Sequence, residues 1–168
     1  RENYGMHASN GILFNHESPI KNEKFVLRKI SKTVAKIKSG LENKIILGNI
    51  KSKRDWGHAE DFANAMWMIC QHKKGDDYII GTGKLHSVED FARIAFKYVK
   101  LNYKKYIKFD KKFVRKKDSN ARLADPSKIR KILKWKPKYD FKSLVLDMVK
   151  SDLTRLKWLI HQNKHIIN

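Results

Sequence analysis

The stretch NGILFNHESP at residues 10–19 decides how the rest of the chain is interpreted. The apolar run at residues 7–14 predicts a short strand, and we expect a polar loop to follow over residues 15–23. In α/β sheets, ligands bind beside the carboxyl ends of parallel strands. The polar residues at 15–19 therefore mark a candidate ligand-binding edge.

Strands and helices alternate outward from this stretch. Apolar residues recur at helical spacing over residues 25–39, and an amphipathic helix is predicted over residues 59–71. Between them, residues 44–47 predict a strand and residues 51–57 predict a polar loop. A further strand is predicted at 78–80, and further helices at 87–101, 125–135 and 141–160, with a frayed tail at 161–168. Ser87 and Asp90 have the spacing of a capping pair at the start of a helix.

This alternation assigns the chain to the α/β class, with a mostly helical C-terminal half. No linker divides it, so we treat residues 1–168 as one structural unit. Three short strands are few for an independent sheet. Residues 1–5 also have the pattern of a helix end capped by Gly5. We therefore expect that an upstream segment completes the fold.

Charge is the most unusual feature of the composition. The 168 residues include 38 Lys and Arg but only 17 Asp and Glu, which gives a net charge of +21. Such an excess raises the possibility of a nucleic-acid partner. However, the basic residues are mostly Lys and are spread along the whole chain, which favours a compositional origin. A basic nucleic-acid-binding module stays open as an alternative function.

The single cysteine, Cys70, excludes an intramolecular disulfide, and its place in an amphipathic helix predicts a small core residue. The default compartment is then the reducing cytoplasm. No apolar run approaches the roughly 20 residues needed to span a bilayer, so we expect a soluble chain without a membrane partner.

Motifs for catalysis and metal binding are absent from the sequence. It contains no G-x-G-x-x-G turn, no Walker A loop and no H-E-x-x-H pair, and its histidines lack the spacing of metal ligands. No nucleophile or acid–base pair can be assembled, so we predict neither catalytic residues nor a metal site. A second unusual segment, KRDWGHAED at residues 53–61, places Trp56 in a polar setting where a binding role would explain it.

These segments resemble the GDP-mannose 4,6-dehydratase family. The Asn-His-Glu-Ser-Pro and Lys-Arg-Asp-Trp-Gly-His-Ala runs distinguish this family from sister nucleotide-sugar epimerases and dehydratases of the extended short-chain dehydrogenase/reductase group. The similar blocks follow the family's order over nearly the whole chain: NGILFNHESP (10–19), FVLRKI (25–30), LGNIKSKRDWGHAEDF (47–62), DYIIGTG (77–83), HSV (86–88), DPSK (125–128) and WKP (135–137).

The resemblance implies the end of a Rossmann-like parallel sheet that binds NADP, merged with the smaller α/β substrate-binding domain. It also implies a lyase that converts GDP-mannose to GDP-4-keto-6-deoxy-mannose and water. In that reaction, NADP takes hydride from C4 and returns it to C6. The family's Gly-rich turn and Tyr-x-x-x-Lys pair have no counterpart here, so we expect this portion to be inactive alone. The complete enzyme would be a homo-oligomer, and the possible partner is a separately encoded N-terminal half. A non-catalytic remnant or split-gene half is the alternative.

Site residues are carried over from the resemblance position by position. Asn10 matches a sugar-nucleotide contact, while Lys29 and Arg54 match residues that hold the GDP part. His16 and Lys21 match cofactor contacts. We expect Asn10, Lys29 and Arg54 to face one shared cavity. Two further nucleotide-binding positions are Arg115 and Asp118.

Two departures from the family's pattern weaken this transfer. The family follows Ser-Pro with Arg-Arg-Gly, whereas this chain has Ile20-Lys21-Asn22. Lys21 keeps a positive charge but lacks the planar fork of Arg. Around Arg115, the family's Arg-Pro-Thr-Glu and the acidic stretch that follows it are replaced by a more basic run that includes Arg122.

Overall fold

The computed structural model describes residues 1–114 and 121–166, with side chains up to residue 162. Short strands and longer helices alternate along the chain. The strands are β1 (Asn10–Leu13), β2 (Asn15–Glu17), β3 (Ile45–Leu47), β4 (Lys53–His58), β5 (Asp77–Ile80), β6 (Leu85–Ser87) and β7 (Ile107–Phe109). The helices are α1 (Val26–Lys38), α2 (Ala59–Gln71), α3 (Val88–Tyr98), α4 (Tyr103–Tyr106), α5 (Ser127–Leu133) and α6 (Phe141–Ile166).

Parallel pairing dominates the sheets, which confirms the α/β class. Strand β1 pairs with β5, and β3 pairs with β7, both in parallel. Strand β4 lies in the middle of the third sheet, parallel to β2 and antiparallel to β6. Within the described part of the chain, β1 has β5 as its only neighbour, so its other edge carries unpaired backbone groups.

The larger hydrophobic core forms where α1, α3 and α6 pack together beside β3. In α1, the residues at helical spacing that point inward are Leu27, Ile30 and Val34, and each is completely buried. The facing helices contribute Phe91 and Met148, which are also completely buried. Within this core, Arg28 donates a hydrogen bond to Asp152, so both charges are paired where water is excluded.

A smaller hydrophobic core lies between α2, α5 and β5. Its buried residues are Phe62, Ala65, Ile69, Tyr78, Ile80, Ile129 and Trp135. The indole Nε1 of Trp135 donates to the carbonyl oxygen of Asp61 at 3.2 Å, which ties the chain after α5 to the start of α2.

The predicted capping pair at the start of α3 is confirmed. Ser87 Oγ accepts from the backbone N–H of Asp90, and a carboxylate oxygen of Asp90 accepts in return from the N–H of Ser87, each at 3.0 Å. Together these bonds satisfy backbone donors that a helix start leaves without partners.

Four predictions about local structure are wrong. The predicted loops at 15–23 and 51–57 contain strands β2 and β4, which pair with each other. Cys70 is exposed, because α2 turns it away from the core face that Ile69 occupies. The final helix continues to Ile166 instead of fraying after residue 160.

None of the helices in the described ranges has the length and apolar character needed to cross a membrane.

Candidate functional site

Two adjoining cavities open at the carboxyl ends of β1 and β3. Cavity A has a volume of about 260 Å³ and lies between the end of β3, the start of β4 and the loop after β2. Cavity B has a volume of about 680 Å³ and begins where β1 ends. The side chains that border both are Asn15, Lys21, Phe25 and Arg54. The edge predicted for ligand binding therefore contains two cavities that share four lining side chains.

Cavity A is lined by both apolar and polar side chains. The apolar ones, called the apolar wall below, include Val26, Leu47, Ile50, Val88 and Phe113, and the polar ones include Asn15, Glu17, Lys21, Ser52 and Arg54. Gly48 sits where the backbone of the 110–114 segment comes closest. A Cβ at this position would lie 2.3 Å from the carbonyl oxygen of Phe113, so only glycine fits without displacing that wall.

The loop after β2 is held by Lys21. Its Nζ donates to Glu17 Oε1 at 2.8 Å and to the carbonyl oxygen of His16 at 2.7 Å. Glu17 is only 4% exposed. Burial raises the pKa of the Glu17 carboxyl above its ordinary value, and the hydrogen bond and charge of Lys21 offset only part of that rise. Lys21 thus both borders the cavities and compensates a buried acid.

The pairing of β2 with β4 places Asn15 and Arg54 close together. The Nδ2 of Asn15 approaches the carbonyl oxygen of Asp55 at 3.4 Å, and Arg54 Nη1 donates to the carbonyl oxygen of Lys53 at 2.7 Å. The side chain of Asp55 is completely buried. It accepts from the backbone N–H groups of Thr82 at 2.9 Å and Gly83 at 2.8 Å. Asp55 therefore anchors the strand that presents Arg54.

Cavity B is rich in positive charge. Arg122 lines it together with Lys21 and Arg54. The apolar floor comes from Ile12 and Leu13 at the end of β1. Sequence reasoning missed Arg122, although the basic run that replaces the family's acidic stretch was the signal that could have identified it. Cations converging on one space suit a ligand that carries phosphate groups.

Comparison with known proteins identifies the family of this chain. The family profile described as GDP-mannose 4,6 dehydratase matches residues 1–148. The chain belongs to the GDP-mannose 4,6-dehydratase family. Its similarity to curated members is high along nearly its whole length. It is 46% identical over 157 residues to GDP-mannose 4,6 dehydratase 1 of Arabidopsis thaliana, and that match covers 94% of this chain and 44% of the relative.

A second curated relative gives a similar result. The chain is 38% identical over 174 residues to the GDP-mannose 4,6 dehydratase of Homo sapiens, covering 94% of this chain and 47% of the relative. It thus spans a little under half the length of these two relatives. Among solved structures, RMD from Pseudomonas aeruginosa complexed with NADPH superposes with a TM-score of 0.83 at 18% identity, covering 92% of this chain and 51% of that one.

A second solved structure also has a similar fold. The dTDP-glucose 4,6-dehydratase from Bacillus anthracis, in complex with NAD, gives a TM-score of 0.74 at 18% identity. The match covers 88% of this chain and 45% of that one. At such low identity, these two structures support the fold alone. They confirm the expected α/β fold.

The two residues carried over as contacts of the GDP part, Arg54 and Lys29, differ in their relation to the cavities. Arg54 borders both cavities. Lys29 lines neither of them, so the expectation that it faces a cavity shared with Arg54 is wrong. Its Nζ donates to the carbonyl oxygen of Ile46 at 2.7 Å and lies 4.4 Å from the ring centre of Phe113. Lys29 therefore supports the cavity wall and does not itself line the space in this structure.

Asn10 does not share this location, so the expectation that it faces the same cavity is wrong. It begins β1, and its Nδ2 donates to Asp77 Oδ1 at 2.9 Å. Ile12, the first residue of β1 that lines cavity B, lies two residues further along the strand, or about 7 Å away. The asparagine at the cavities is Asn15, which follows the end of β1.

The two residues carried over as cofactor contacts, His16 and Lys21, both line cavity B. The ring centroid of His16 lies 5.3 Å from that of Phe62, and His16 Nδ1 lies 3.1 Å from the carbonyl oxygen of Phe14. The remaining carried-over positions, Arg115 and Asp118, lie outside the described residues.

Proposed function

We propose that this chain forms the nucleotide-sugar-binding portion of a GDP-mannose 4,6-dehydratase. That reaction converts GDP-mannose to GDP-4-keto-6-deoxy-mannose and water. The observation that supports the proposal is the shared border of the two cavities, where Lys21 and Arg54 place cations between two spaces. Such an arrangement suits a substrate diphosphate beside a second phosphate-bearing ligand.

Each wall of cavity A has a distinct task in this proposal. The guanidinium of Arg54 pairs with diphosphate oxygens, because its planar fork matches their geometry. The apolar wall around Gly48 and Phe113 accommodates a flat base. The side-chain amide of Asn15 can both donate to and accept from sugar hydroxyls. Lys29 positions Phe113 from behind.

In the same proposal, cavity B receives part of NADP. The residues present fit the phosphates of such a cofactor, since Lys21 and Arg122 supply cations beside His16. When bound, NADP supplies the hydride acceptor and donor for the reaction. The sequence contains neither a G-x-G-x-x-G turn nor a Tyr-x-x-x-Lys pair. We therefore propose that the 168 residues bind ligand but do not turn it over alone.

A partner for the unpaired edge of β1 completes this proposal. An N-terminal half that carries those motifs would add a strand beside β1 and cover Ile12 and Leu13. Homo-oligomerisation would then belong to the completed enzyme. Co-expression with the N-terminal part of the Arabidopsis relative tests this directly. Restored formation of the keto sugar supports a split enzyme, and its absence supports a non-catalytic remnant.

Isothermal titration calorimetry with GDP-mannose tests the binding proposal. We expect wild-type binding, and about tenfold weaker binding for Arg54→Lys, because the variant keeps the charge but loses the bidentate fork. Arg155→Lys, on the exposed side of α6, is the matched control and should bind like wild type. Equal binding by both variants would contradict the assigned role of Arg54. Formation of the keto sugar by the chain alone with NADP would contradict the claim of inactivity.

A further inference from the structure

Helix α2 is apolar on two of its sides. One side packs Phe62, Ala65 and Ile69 into the smaller hydrophobic core. A second set of apolar side chains lies in water, and its largest member, Trp67, is 61% exposed. This set, the α2 stripe, consists of Ala63, Met66, Trp67 and Cys70, at helical spacing. A helix with apolar residues on more than one side normally packs against more than one layer.

The α2 stripe points away from the neighbours that α2 already has. On another side of the helix, the carboxylate of Asp61 accepts from the backbone N–H groups of Lys138 and Tyr139, in the chain after α5. At about 3.6 residues per turn, the centre of the stripe lies about 170° around the helix axis from Asp61 and about 120° from the buried side. The side of α2 opposite the chain after α5 is therefore the exposed one.

The sheet beneath α2 is also uncovered on that side. Leu13 of β1 is the register partner of Ile80 in β5, so both side chains lie on one face of the sheet. Ile80 is completely buried in the smaller hydrophobic core, whereas Leu13 is 38% exposed. Because α5 lies against β5, the side of α2 away from α5 lies towards β1. The α2 stripe and the open face of β1 thus form one continuous apolar surface.

The first residues of the chain lie where α2 ends. Arg1 Nη2 donates to Asp77 Oδ1 at 2.8 Å, and His7 Nε2 lies 2.7 Å from the carbonyl oxygen of His72, directly after α2. Gly5 has a φ of +62°, a conformation typical of the residue that follows a helix. A helix that leads into residues 1–5 therefore ends beside the end of α2.

We propose that the α2 stripe binds an apolar helix of the N-terminal half, the helix that leads into Arg1. This inference rests on the proposed function, which supplies that half and its strand beside β1. Connections between parallel strands are right-handed, so helices lie on one face of a sheet when the strand order advances in one direction. The strand beside β1, then β1, then β5 advance in this way. The added helix and α2 then lie side by side and run in the same direction.

The distribution of charge favours an apolar occupant. Helix α2 contains no Lys or Arg, whereas each of the other α-helices in the described ranges contains at least two. In a chain with a net charge of +21, the stripe is therefore a surface that an apolar helix can cover without burying an unpaired charge. It offers no ion pair to a polyanion. The competing occupant is a second copy of this chain.

Co-expression with the N-terminal part of the Arabidopsis relative, followed by sedimentation velocity, tests the inference. Trp67→Glu places a charge in the stripe, and Trp158→Glu makes the same change at a tryptophan of α6 that is 59% exposed. We expect the dissociation constant of the complex to rise about tenfold or more for Trp67→Glu, because a buried tryptophan is a frequent energetic centre of an interface. Trp67→Phe should bind nearly as wild type, and Trp158→Glu should bind as wild type.

Alkylation of Cys70 provides a second measurement, since this single cysteine belongs to the stripe and is exposed. Peptide mass spectrometry follows its reaction with iodoacetamide in the chain alone and in the complex. We expect the reaction in the complex to slow by about tenfold, because the helix covers the thiol. Arg155→Cys, on the exposed side of α6 in a Cys70→Ser background, is the control and should react equally fast in both states.

The outcomes separate this inference from the proposed function. Equal affinity of Trp67→Glu and wild type for the N-terminal part, or an unprotected Cys70 in the complex, overturns the inference alone. Failure of wild type to bind that part also overturns it. Self-association that protects Cys70 and is abolished by Trp67→Glu, with binding of the N-terminal part unchanged, assigns the stripe to a second copy and overturns the inference. A chain that binds the N-terminal part through the stripe but fails to bind GDP-mannose overturns the proposed function alone.

Discussion

The larger hydrophobic core, formed by α1, α3 and α6, and the β1–β5 sheet differ in how far their apolar side chains are shielded from water. Ile30 of α1 and Phe91 of α3 are completely buried. In β1, Ile12 is 54% exposed and Leu13 is 38% exposed, although both belong to a parallel sheet. Parallel sheets in α/β proteins are normally covered on both faces. The three helices therefore bury their apolar side chains against one another, whereas β1 leaves apolar side chains exposed, as is typical of a surface that another segment covers.

The largest expected effect comes from opening the helical core. Phe91→Ala should lower the free energy of unfolding by about 3–5 kcal/mol, because it removes a completely buried ring and leaves a cavity. Urea unfolding followed by circular dichroism measures this change. Phe109→Ala, the same substitution at a residue that is 64% exposed, should change the free energy by less than about 0.5 kcal/mol. Similar losses in both variants would contradict the contrast.

A smaller loss of stability is expected from weakening the hydrogen bonds that Asp55 of β4 accepts from backbone N–H groups. Asp55→Asn should cost about 1–3 kcal/mol, because one carboxylate oxygen that accepts from backbone N–H groups becomes a donor. Thermal and urea unfolding measure the loss. Asp125→Asn is the control, since Asp125 is exposed and asparagine caps a helix start about as well as aspartate. A loss no greater than in the control would show that Asp55 does not anchor the strand.

An effect of about 1 kcal/mol is expected from Ser87→Ala at the start of α3, because the variant loses the side-chain cap. This change also alters acid sensitivity. Burial by itself would raise the pKa of Asp90, but hydrogen bonds from Ser87 and Arg93 outweigh it and hold the pKa at about 2. A carboxyl with a lowered pKa contributes stability above its unfolded value of 3.8, and that contribution is lost as the pH falls towards 2.

The measurement for this prediction is urea unfolding at several pH values between about 5 and 2. This interval covers the fall from the unfolded pKa of Asp90 to its pKa in the folded chain. Ser87→Ala should lose less stability than wild type over this interval, because Asp90 has fewer donors to lose. Ser151→Ala, inside α6, should follow the wild-type curve. A variant curve parallel to wild type would disprove the coupling between Ser87 and Asp90.

The smallest effect on stability is expected at the exposed strand. Ile12→Ser should change the free energy of unfolding by less than about 0.5 kcal/mol, because the side chain is largely in water already. It should reduce self-association in sedimentation experiments, since an apolar open edge favours pairing with another chain. A loss of stability comparable to that of Phe91→Ala would show that β1 is covered in solution, and the contrast between the two regions would fail.

The helices were predictable because periodicity and capping are local. Helix α2 has the predicted bounds, Ala59–Gln71, and the Ser87–Asp90 capping box formed as expected. Strand β4 was missed because its sequence lacks the alternation of a half-buried strand. Asp55 is buried there by hydrogen bonds to groups distant in sequence, and such compensation cannot be seen in a sequence pattern.

Prediction of the site succeeded in part. Arg54, His16 and Lys21 line the cavities, although their binding roles stay predictions. Asn10 was expected at the cavity because it matches a sugar-nucleotide contact of the family. Of the two asparagines, Asn10 begins β1 and Asn15 follows its end. The end of a strand is the least certain part of a sequence-based assignment.

Arg54 stands on the border between two chambers, and this position has a thermodynamic consequence. In the proposed binding scheme, Arg54 contacts the diphosphate in cavity A and also borders the space for NADP in cavity B, so a ligand in either cavity restricts the guanidinium beside the other ligand. Binding in the two cavities is then coupled. By thermodynamic reciprocity, each ligand changes the affinity for the other by the same factor. One side chain thereby converts neighbouring binding events into a single heterotropic equilibrium.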